Sequence, residues 1–250
     1  MAEQKEEKWC GNMRKELLGV FSGFPDHHFP EEIAKRLKEE LTERESIVFI
    51  TACPKDYVQN DDDCDGMYEM FAEKGMPFIK HCVIDERTEP AVAKELVENA
   101  SCIFLMGGGA CMDQLELIRG KGCLSTIRDC HAVIFGVSAG SMSMAKDTVD
   151  FFESLEPFEG LGFTNLTVTC HHDPADTWRC EQTMRISEDR RVFAMEDESA
   201  FFIKAGRIDV VGNVYQVEQR RLKLLDQEGI EKLEKDDFWR AVGGERNEER

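Results

Sequence analysis

A serine bracketed by glycines is the strongest chemical signal in the sequence. Ser138 lies in Gly-Val-Ser-Ala-Gly, residues 136–140, after the apolar run HAVIFGV and before SMSMAK, which can begin a helix. Small neighbours permit the sharp strand-to-helix turn that exposes a serine hydroxyl in many hydrolases. The segment therefore predicts a nucleophilic serine, with an ordinary glycine–serine turn as the alternative.

A glycine-rich segment indicates how a developing negative charge would be held. Residues 106–110 read Met-Gly-Gly-Gly-Ala and join an apolar run to a helical pattern. Successive glycines let the backbone approach a ligand closely and offer N–H groups, as an oxyanion hole requires. Met112 stands where a dinucleotide-binding fingerprint needs glycine, and no Gly-Lys-Ser/Thr of a P-loop follows. A tight strand-to-helix turn is the alternative.

A serine nucleophile needs a base, and a base needs a carboxylate to orient it. Among the six histidines, His171 and His172 have the best context, in Cys-His-His-Asp after LTVT. A metal site formed by this segment with Cys180 is the alternative. The acidic segment 196–200, Glu-Asp-Glu-Ser-Ala, lies between two predicted strands and offers the carboxylate, although acidic turns are usually solvated.

A second acidic segment, Asp-Asp-Asp-Cys-Asp-Gly at residues 61–66, matches the first half of a calcium-binding loop. The twelfth position of such a loop should be a bidentate glutamate, and here it is Ala72. We therefore predict a solvated acidic loop in this segment and no metal site in the chain.

Apolar runs that alternate with amphipathic stretches indicate the fold that must position these groups. The predicted strands are 17–21, 46–52, 78–84, 101–106 and 131–137, and the predicted helices are 30–41, 65–74, 90–99 and 112–120. This order is typical of an α/β fold with a doubly wound, largely parallel sheet and helices on both faces.

The sequence pattern changes after residue 190. Short apolar segments with glycine turns predict hairpin strands near the C-terminal edge of the sheet. We expect one domain over residues 1–250, with a core at about 17–217 and a charged tail at 218–250. Leu222, Leu225 and Leu233 are expected to share a helical face, and the final GGERNEER is expected to fray.

The amino-acid composition indicates which classes of binding partner and which cellular location to expect. The chain has 50 acidic against 31 basic residues, a net charge of −19, which disfavours nucleic acid and anionic membranes as partners. No apolar run reaches the ~18 residues of a membrane span, and the N-terminus lacks the pattern of a secretory signal. Ten cysteines without paired spacing favour buried, reduced thiols in a cytoplasmic protein over disulfides or a zinc site.

Taken together and in this order, these segments resemble the dipeptidase E and cyanophycinase family of serine peptidases. The resemblance covers about residues 17–217 and rests on MGGGACMDQL, GVSAGS, HHD and MEDESA. It implies the class I glutamine amidotransferase-like fold and hydrolysis of small peptides without a cofactor. A glutamine amidotransferase would carry cysteine at position 138, so the resemblance to that fold does not imply that activity.

Carried over position by position, the resemblance makes Ser138 the nucleophile, His171 the base and Asp197 the acid that orients the base. It also makes the backbone N–H groups of Gly108 and Ala139 the donors of the oxyanion hole.

Three departures from the family pattern leave alternatives open. His172 stands where the family has an aromatic residue, so it remains an alternative base. Glu196 remains an alternative acid, and so does Asp150, because dipeptidase E is usually described with an aspartate between nucleophile and base. Ala110 replaces the asparagine of the family's GGGN.

The resemblance also implies a preference for an N-terminal aspartate, which needs a basic residue in the pocket. Arg179 and Arg185 are the nearest candidates, with a plain surface role as the alternative. The leading hypothesis is a cytoplasmic serine peptidase, monomeric or homodimeric, that acts on small peptides. The second is a catalytically silent member that binds a ligand or a partner protein. The third is an esterase, which the order Ser, acid, His would mark.

Overall fold

Five parallel strands form the centre of a computed structural model that describes residues 17–151 and 154–235. These strands are β1 (Leu17–Phe21), β2 (Ser46–Ile50), β3 (Lys80–Ile84), β4 (Cys102–Leu105) and β5 (Val133–Val137). They lie side by side in the order β1–β5–β4–β2–β3. The predicted parallel sheet is therefore confirmed, although several of its strands begin or end slightly inside the predicted bounds.

Helices cover both faces of this sheet. They are α1 (Glu31–Glu40), α2 (Tyr57–Glu73), α3 (Pro90–Glu98), α4 (Cys111–Gly120), α5 (Leu124–Asp129) and α6 (Ala139–Ser143). Successive strand residues point to opposite faces. Leu17 and Phe21 of β1 belong to a cluster with α1 and α2, whereas Leu18 and Val20 belong to a cluster with α3, α4 and α5. The doubly wound arrangement is confirmed.

Buried phenylalanines hold the end of β1. The Phe21 ring meets Phe135 and Phe202 edge-on, with ring centroids 5.6 Å away in both cases. It also stacks on Phe104 at 6.3 Å. Burying one such side chain stabilises a fold by about 1.5–3 kcal/mol. This packing fixes the point at which the chain leaves the sheet, next to the predicted nucleophile.

The remaining elements build an edge and two smaller sheets. They are β6 (Asp147–Val149), β7 (Pro157–Glu159), β8 (Val168–Thr169), α7 (Thr177–Ile186), β9 (Val192–Met195), β10 (Ala200–Lys204), β11 (Arg207–Val211), β12 (Val214–Glu218), β13 (Arg221–Leu224) and α8 (Gln227–Lys235). The hairpin β10–β11 extends the β1 edge of the large sheet, as predicted. The strands β8, β9, β12 and β13 form a separate four-stranded sheet, which was not predicted.

The acidic segment 61–66 is helical, so the prediction of a solvated loop is wrong there. The helix α2 begins at Tyr57, well before the predicted start at residue 65. Asn60 and Cys64, one turn apart, are buried against the sheet, while Asp61 faces outward and pairs with Arg87. The run of charges concealed this helical spacing.

The C-terminal leucines do not share a helix, so that prediction is also wrong. Leu222 lies in β13 opposite Val217 of β12, Leu225 follows the strand, and Leu233 lies in α8. The backbone pairing of β13 with β12 determines the conformation here, and side-chain spacing alone does not reveal it. Residues 236–250, including the segment expected to fray, lie outside the described residues.

Two further expectations from the sequence concern membrane spans and the state of the cysteines. In the described part of the chain, no helix is long and apolar enough to cross a membrane. The nine cysteines placed in the structure are all free thiols, and five of them are buried. Cys10 lies outside the described residues.

Candidate active site

Ser138 occupies a strained turn between β5 and α6. Its backbone angles are φ 53° and ψ −117°, a conformation that side-chain-bearing residues rarely adopt. The Ser138 amide donates to the carbonyl oxygens of Phe21 and Ser22, each at 3.1 Å. The predicted strand-to-helix turn is therefore present, and the end of β1 holds it in place.

Ser141 attaches this turn to β1. Its side chain is fully buried, and its Oγ accepts a hydrogen bond from the Phe21 amide at 2.9 Å. The same oxygen lies 2.8 Å from the Phe21 carbonyl and 2.6 Å from the Gly136 carbonyl, either of which can accept its proton. One buried hydroxyl thus fixes the turn around Ser138 from within.

A chain of hydrogen bonds runs from Ser138 to a carboxylate. His171 Nε2 lies 2.8 Å from Ser138 Oγ, and His171 Nδ1 lies 2.6 Å from Asp197 Oδ1. An ionised Asp197 accepts a hydrogen bond from His171 Nδ1–H, which leaves the unprotonated Nε2 to accept the serine proton. The side chains of His171 and Asp197 are 37% and 39% exposed, so solvent and small molecules can reach them.

Ser22, the residue after β1, joins the segments that carry the histidine and the carboxylate. It is buried; its Oγ accepts from the His171 amide at 2.8 Å and donates to the Met195 carbonyl at 2.9 Å. The Ser22 amide donates to the Ser199 carbonyl at 3.1 Å. His171 itself has a φ of 58°, so its backbone also needs external support.

The next residue, Gly23, leaves the space that this arrangement requires. A Cβ at this position would overlap Asp197 Oδ1 and lie 2.5 Å from His171 Cε1. The Gly23 carbonyl also accepts from the Glu198 amide at 2.9 Å, which holds the turn that carries Asp197. Sequence reasoning missed Ser22 and Gly23. Their position after a parallel strand was the available signal, because sites form at that edge.

The glycine-rich segment passes directly beside Ser138. A Cβ on Gly107 would lie 2.9 Å from Ser138 Cβ, so only glycine permits this approach. Gly108 has a φ of 85°, and the place where its Cβ would stand faces open space. The Gly108 carbonyl accepts from Cys53 Sγ at 3.3 Å, which fixes the orientation of that peptide. The oxyanion role of Gly108 and Ala139 stays a prediction.

Gln114 of α4 supports the same edge of the sheet and was also missed. Its side chain is fully buried, and Nε2 donates to the carbonyl oxygens of Ile50 at 2.9 Å and Met106 at 3.0 Å. Ile50 ends β2 and Met106 follows β4, the strands that precede residues 53 and 107. The amide therefore ties together the chain ends that carry the glycine-rich segment.

Comparison with known proteins decides the family. The model of peptidase family S51 matches residues 17–211, which include Ser138, His171 and Asp197. The chain belongs to peptidase family S51. The resemblance to the dipeptidase E family is thereby confirmed.

Solved structures show the same fold. A peptidase from an acI-B1 actinobacterium superposes with a TM-score of 0.62 at 17% identity, covering 84% of this chain and 93% of that one. A protein assigned as peptidase E from Listeria monocytogenes EGD-e superposes with a TM-score of 0.58 at 14% identity, covering 78% and 98%. No curated protein sequence matches this chain.

In this S51 chain the alternative base, His172, and one alternative acid, Glu196, both contact Tyr215. The His172 ring packs edge-on against Tyr215, with centroids 5.2 Å apart, and burial lowers the pKa of His172 despite nearby Glu196. Glu196 accepts from Tyr215 Oη at 2.7 Å and from Asn213 Nδ2 at 2.8 Å. His171, and not His172, is the histidine that meets Ser138.

The remaining predicted residues, Asp150, Arg179 and Arg185, contact different partners. Asp150 accepts from the Ser154 amide at 3.3 Å, whereas His171 pairs with Asp197. Arg179 donates through Nη1 to the His171 carbonyl at 3.3 Å. Arg185 pairs on the surface with Glu181 at 3.6 Å. Of the two arginines, Arg179 is therefore the one that contacts His171.

The metal site considered for His171, His172, Asp173 and Cys180 does not form. The two histidine rings face Ser138 and Tyr215 respectively, and Cys180 Sγ contacts the Asp173 carbonyl at 3.5 Å. Within residues 17–151 and 154–235, clusters of at least three metal-ligating side chains occur elsewhere.

Replacing Gly23 with alanine is expected to lower the kcat/KM of peptide hydrolysis by about 100-fold or more, because a misplacement near 1 Å has that effect on catalysis. The added methyl group must displace either His171 or Asp197. Steady-state kinetics and thermal unfolding measure the two effects separately.

Gly66→Ala is the matched control for this change. Gly66 lies in α2, and a Cβ there would meet nothing within 4 Å. This control should keep full activity and gain about 0.5–1 kcal/mol, as expected for alanine in place of glycine inside a helix. Unchanged kinetics in Gly23→Ala would contradict the tight fit described above.

Proposed function

We propose that this S51 peptidase hydrolyses small peptides, with Ser138 as nucleophile, His171 as general base and Asp197 as the acid that orients the base. The observation that carries the proposal is the hydrogen-bond chain Ser138 Oγ–His171 Nε2 and His171 Nδ1–Asp197 Oδ1, at 2.8 and 2.6 Å. The order Ser, His, Asp along the sequence also differs from that of an α/β-hydrolase esterase.

The first chemical step forms a bond between Ser138 Oγ and the carbonyl carbon of the peptide. His171 Nε2 takes the serine proton as that bond forms, and the resulting imidazolium is stabilised by the Asp197 carboxylate. The carbonyl oxygen becomes an oxyanion. The N–H groups of Gly108 and Ala139 would receive it, since the Gly107–Gly108 peptide adjoins Ser138 and Ala139 begins α6, where amides have no partner within the helix.

The second step breaks the carbon–nitrogen bond. Protonated His171 gives its proton to the leaving amine, and an acyl group remains on Ser138. Water then attacks the acyl carbon while His171 takes one of its protons; the bond between the acyl carbon and Ser138 Oγ breaks, His171 returns the proton to Oγ, and the carboxylic acid product is released. The exposure of the His171 and Asp197 side chains supports this proposal, because the hydrolytic water must reach the same face.

Arg179 is the better candidate to bind an acidic substrate group. Its guanidinium donates to the His171 carbonyl and also pairs with Asp176 at 3.7 Å, whereas Arg185 is 60% exposed and pairs with Glu181 on the surface. A net charge of −19 repels anionic substrates at long range, so a local cation at the site is needed for one to bind. We propose that peptides with an N-terminal aspartate are among the substrates.

Hydrolysis of a peptide panel tests the proposed function. The panel contains dipeptides with N-terminal aspartate, matched dipeptides with neutral residues, and β-aspartyl isopeptides. We expect the wild-type chain to cleave at least one class and to react with a fluorophosphonate, because only an activated serine does so readily. Ser138→Ala should lose both properties. Ser154→Ala is the control and should keep both; the backbone amide of Ser154 donates to Asp150.

The alternatives give distinct results in the same experiment. A ligand-binding, catalytically silent protein would cleave no peptide and would not be labelled. An esterase would be labelled by the fluorophosphonate and would cleave none of the peptides. Either result would reject the peptidase proposal for this chain.

A further inference from the structure

A second cluster of reactive side chains lies at the edge of the large sheet away from β10 and β11. Cys64 and Asp65 belong to α2, and His81 belongs to the edge strand β3. Two strands, β4 and β2, separate β3 from β5, which leads to Ser138. This cluster is therefore distinct from the candidate active site.

The three donor atoms of this cluster are close together. One ligating atom from each of Cys64, Asp65 and His81 lies within 4.8 Å of the other two. Tetrahedral zinc with ligands at 2.0–2.3 Å brings its donor atoms roughly 3.3–3.8 Å apart. Small side-chain adjustments are enough to reach that geometry, and thiolate, imidazole and carboxylate are the ligand types that zinc takes in proteins.

The histidine of the cluster is already oriented. His81 Nε2 lies 2.9 Å from Asp65 Oδ1, and the ring stacks on Tyr68 with centroids 4.1 Å apart. Side chains held by neighbours lose less freedom when they bind a metal. The His81 side chain is still 31% exposed, which leaves a route for a metal ion from solvent.

An open surface groove of about 560 Å³ adjoins the cluster and is lined by all three of its residues and by a second thiol, Cys82. The same groove contains Arg87, whose guanidinium is committed to Asp61 and Asp85. The negative charges of Asp61 and Asp85 offset the positive charge of Arg87, so Arg87 does not cancel the attraction of the Asp65 carboxylate for a cation. Water can supply a fourth ligand.

We propose that Cys64, Asp65 and His81 form a binding site for a divalent metal ion of the zinc class, which ties α2 to the edge strand β3. Because the ligands come from a helix and from the strand on which it packs, the bound ion cross-links two elements of the fold. The site departs from the expectation, drawn from the sequence alone, that the chain has no metal site. It does not depend on the peptidase proposal and does not take part in the hydrolytic steps.

Titration of the full chain with Co²⁺ tests the proposal. Cobalt occupies zinc sites, and a bound thiolate gives a charge-transfer band in the near ultraviolet. We expect this band to saturate at one Co²⁺ per chain and to disappear when Zn²⁺ is added. His81→Ala should weaken Co²⁺ binding by at least about tenfold, since the loss even of groups supporting a metal ligand has effects of this size. Cys64→Ser should remove the thiolate band.

Two variants serve as matched controls and should behave as wild type. Cys130→Ser removes a partly buried thiol outside the cluster, and His28→Ala removes a histidine from a second, exposed cluster with Asp26 and Glu198. Because Cys64 is buried, Cys64→Ser is checked by circular dichroism, whereas the partly exposed His81 can change without loss of the fold. Absence of the band in the wild-type chain, or its unchanged persistence in His81→Ala, would overturn the proposal.

Discussion

Replacing Ser138 or His171 with alanine is expected to lower the kcat of peptide hydrolysis by about 10⁶-fold, and the double replacement should cost little more. The two side chains share one hydrogen bond, at 2.8 Å, and neither activates the reaction without the other. Their separate losses therefore do not add. Single-turnover kinetics with the best substrate of the panel would measure the three variants against wild type.

His172→Phe is the matched control for the change at His171. Phenylalanine can keep the edge-on packing against Tyr215 that the His172 ring makes, and it cannot act as a base. This variant should retain most of the activity. An inactive His172→Phe together with an active His171→Ala would show that the base is assigned one residue too early. Activity in both variants would remove histidine from the mechanism.

The sequence predicts the central sheet well because its signals are local. Each buried parallel strand is a continuous apolar run, and the glycines beside Ser138 are required by one sharp turn. The segments that carry Ser138, His171 and Asp197 were found in the same way. The structure places their side chains within hydrogen-bond distance of one another, and their catalytic roles are for the variants to establish.

The supporting residues depend on contacts between distant parts of the chain. The bond between Ser22 Oγ and the His171 amide joins positions 149 residues apart. Gly23 is constrained by Asp197 and His171, far along the sequence, and nothing beside Gly23 indicates this. The helical run at 61–66 was missed because its exposed aspartates concealed the spacing of Asn60 and Cys64.

The four-stranded second sheet was missed for a related reason. Its strand β8 has only two residues, Val168–Thr169, and too short a run has no distinct period. Yet β8 leads directly to His171, and its neighbour β9 ends at Met195, shortly before Asp197. His171 and Asp197 are therefore positioned by two adjacent parallel strands. That proximity follows from strand pairing and not from any local motif.

Replacing Asp197 with asparagine is expected to lower kcat by about 10⁴-fold with little change in KM, as the loss of an orienting carboxylate does in serine proteases. Asparagine has nearly the same shape, so it still fits against Gly23. Its amide group can donate to His171 Nδ1, which favours the tautomer that carries its proton on Nε2. That tautomer cannot accept the proton of Ser138, so the nucleophile is not activated.

Glu196 and Asp150, the two alternative acids, provide the controls for this experiment. Glu196→Gln alters a group bonded to Tyr215 and Asn213, and Asp150→Asn alters one bonded to the Ser154 amide. Both variants should keep most of the wild-type kcat, because the carboxylate bonded to His171 Nδ1 in the structure is Asp197. A 10⁴-fold loss in Asp150→Asn with an active Asp197→Asn would transfer the orienting role to the acid that precedes the base. Since all three changes preserve side-chain shape and remove one charge, differences among them report which carboxylate acts on His171.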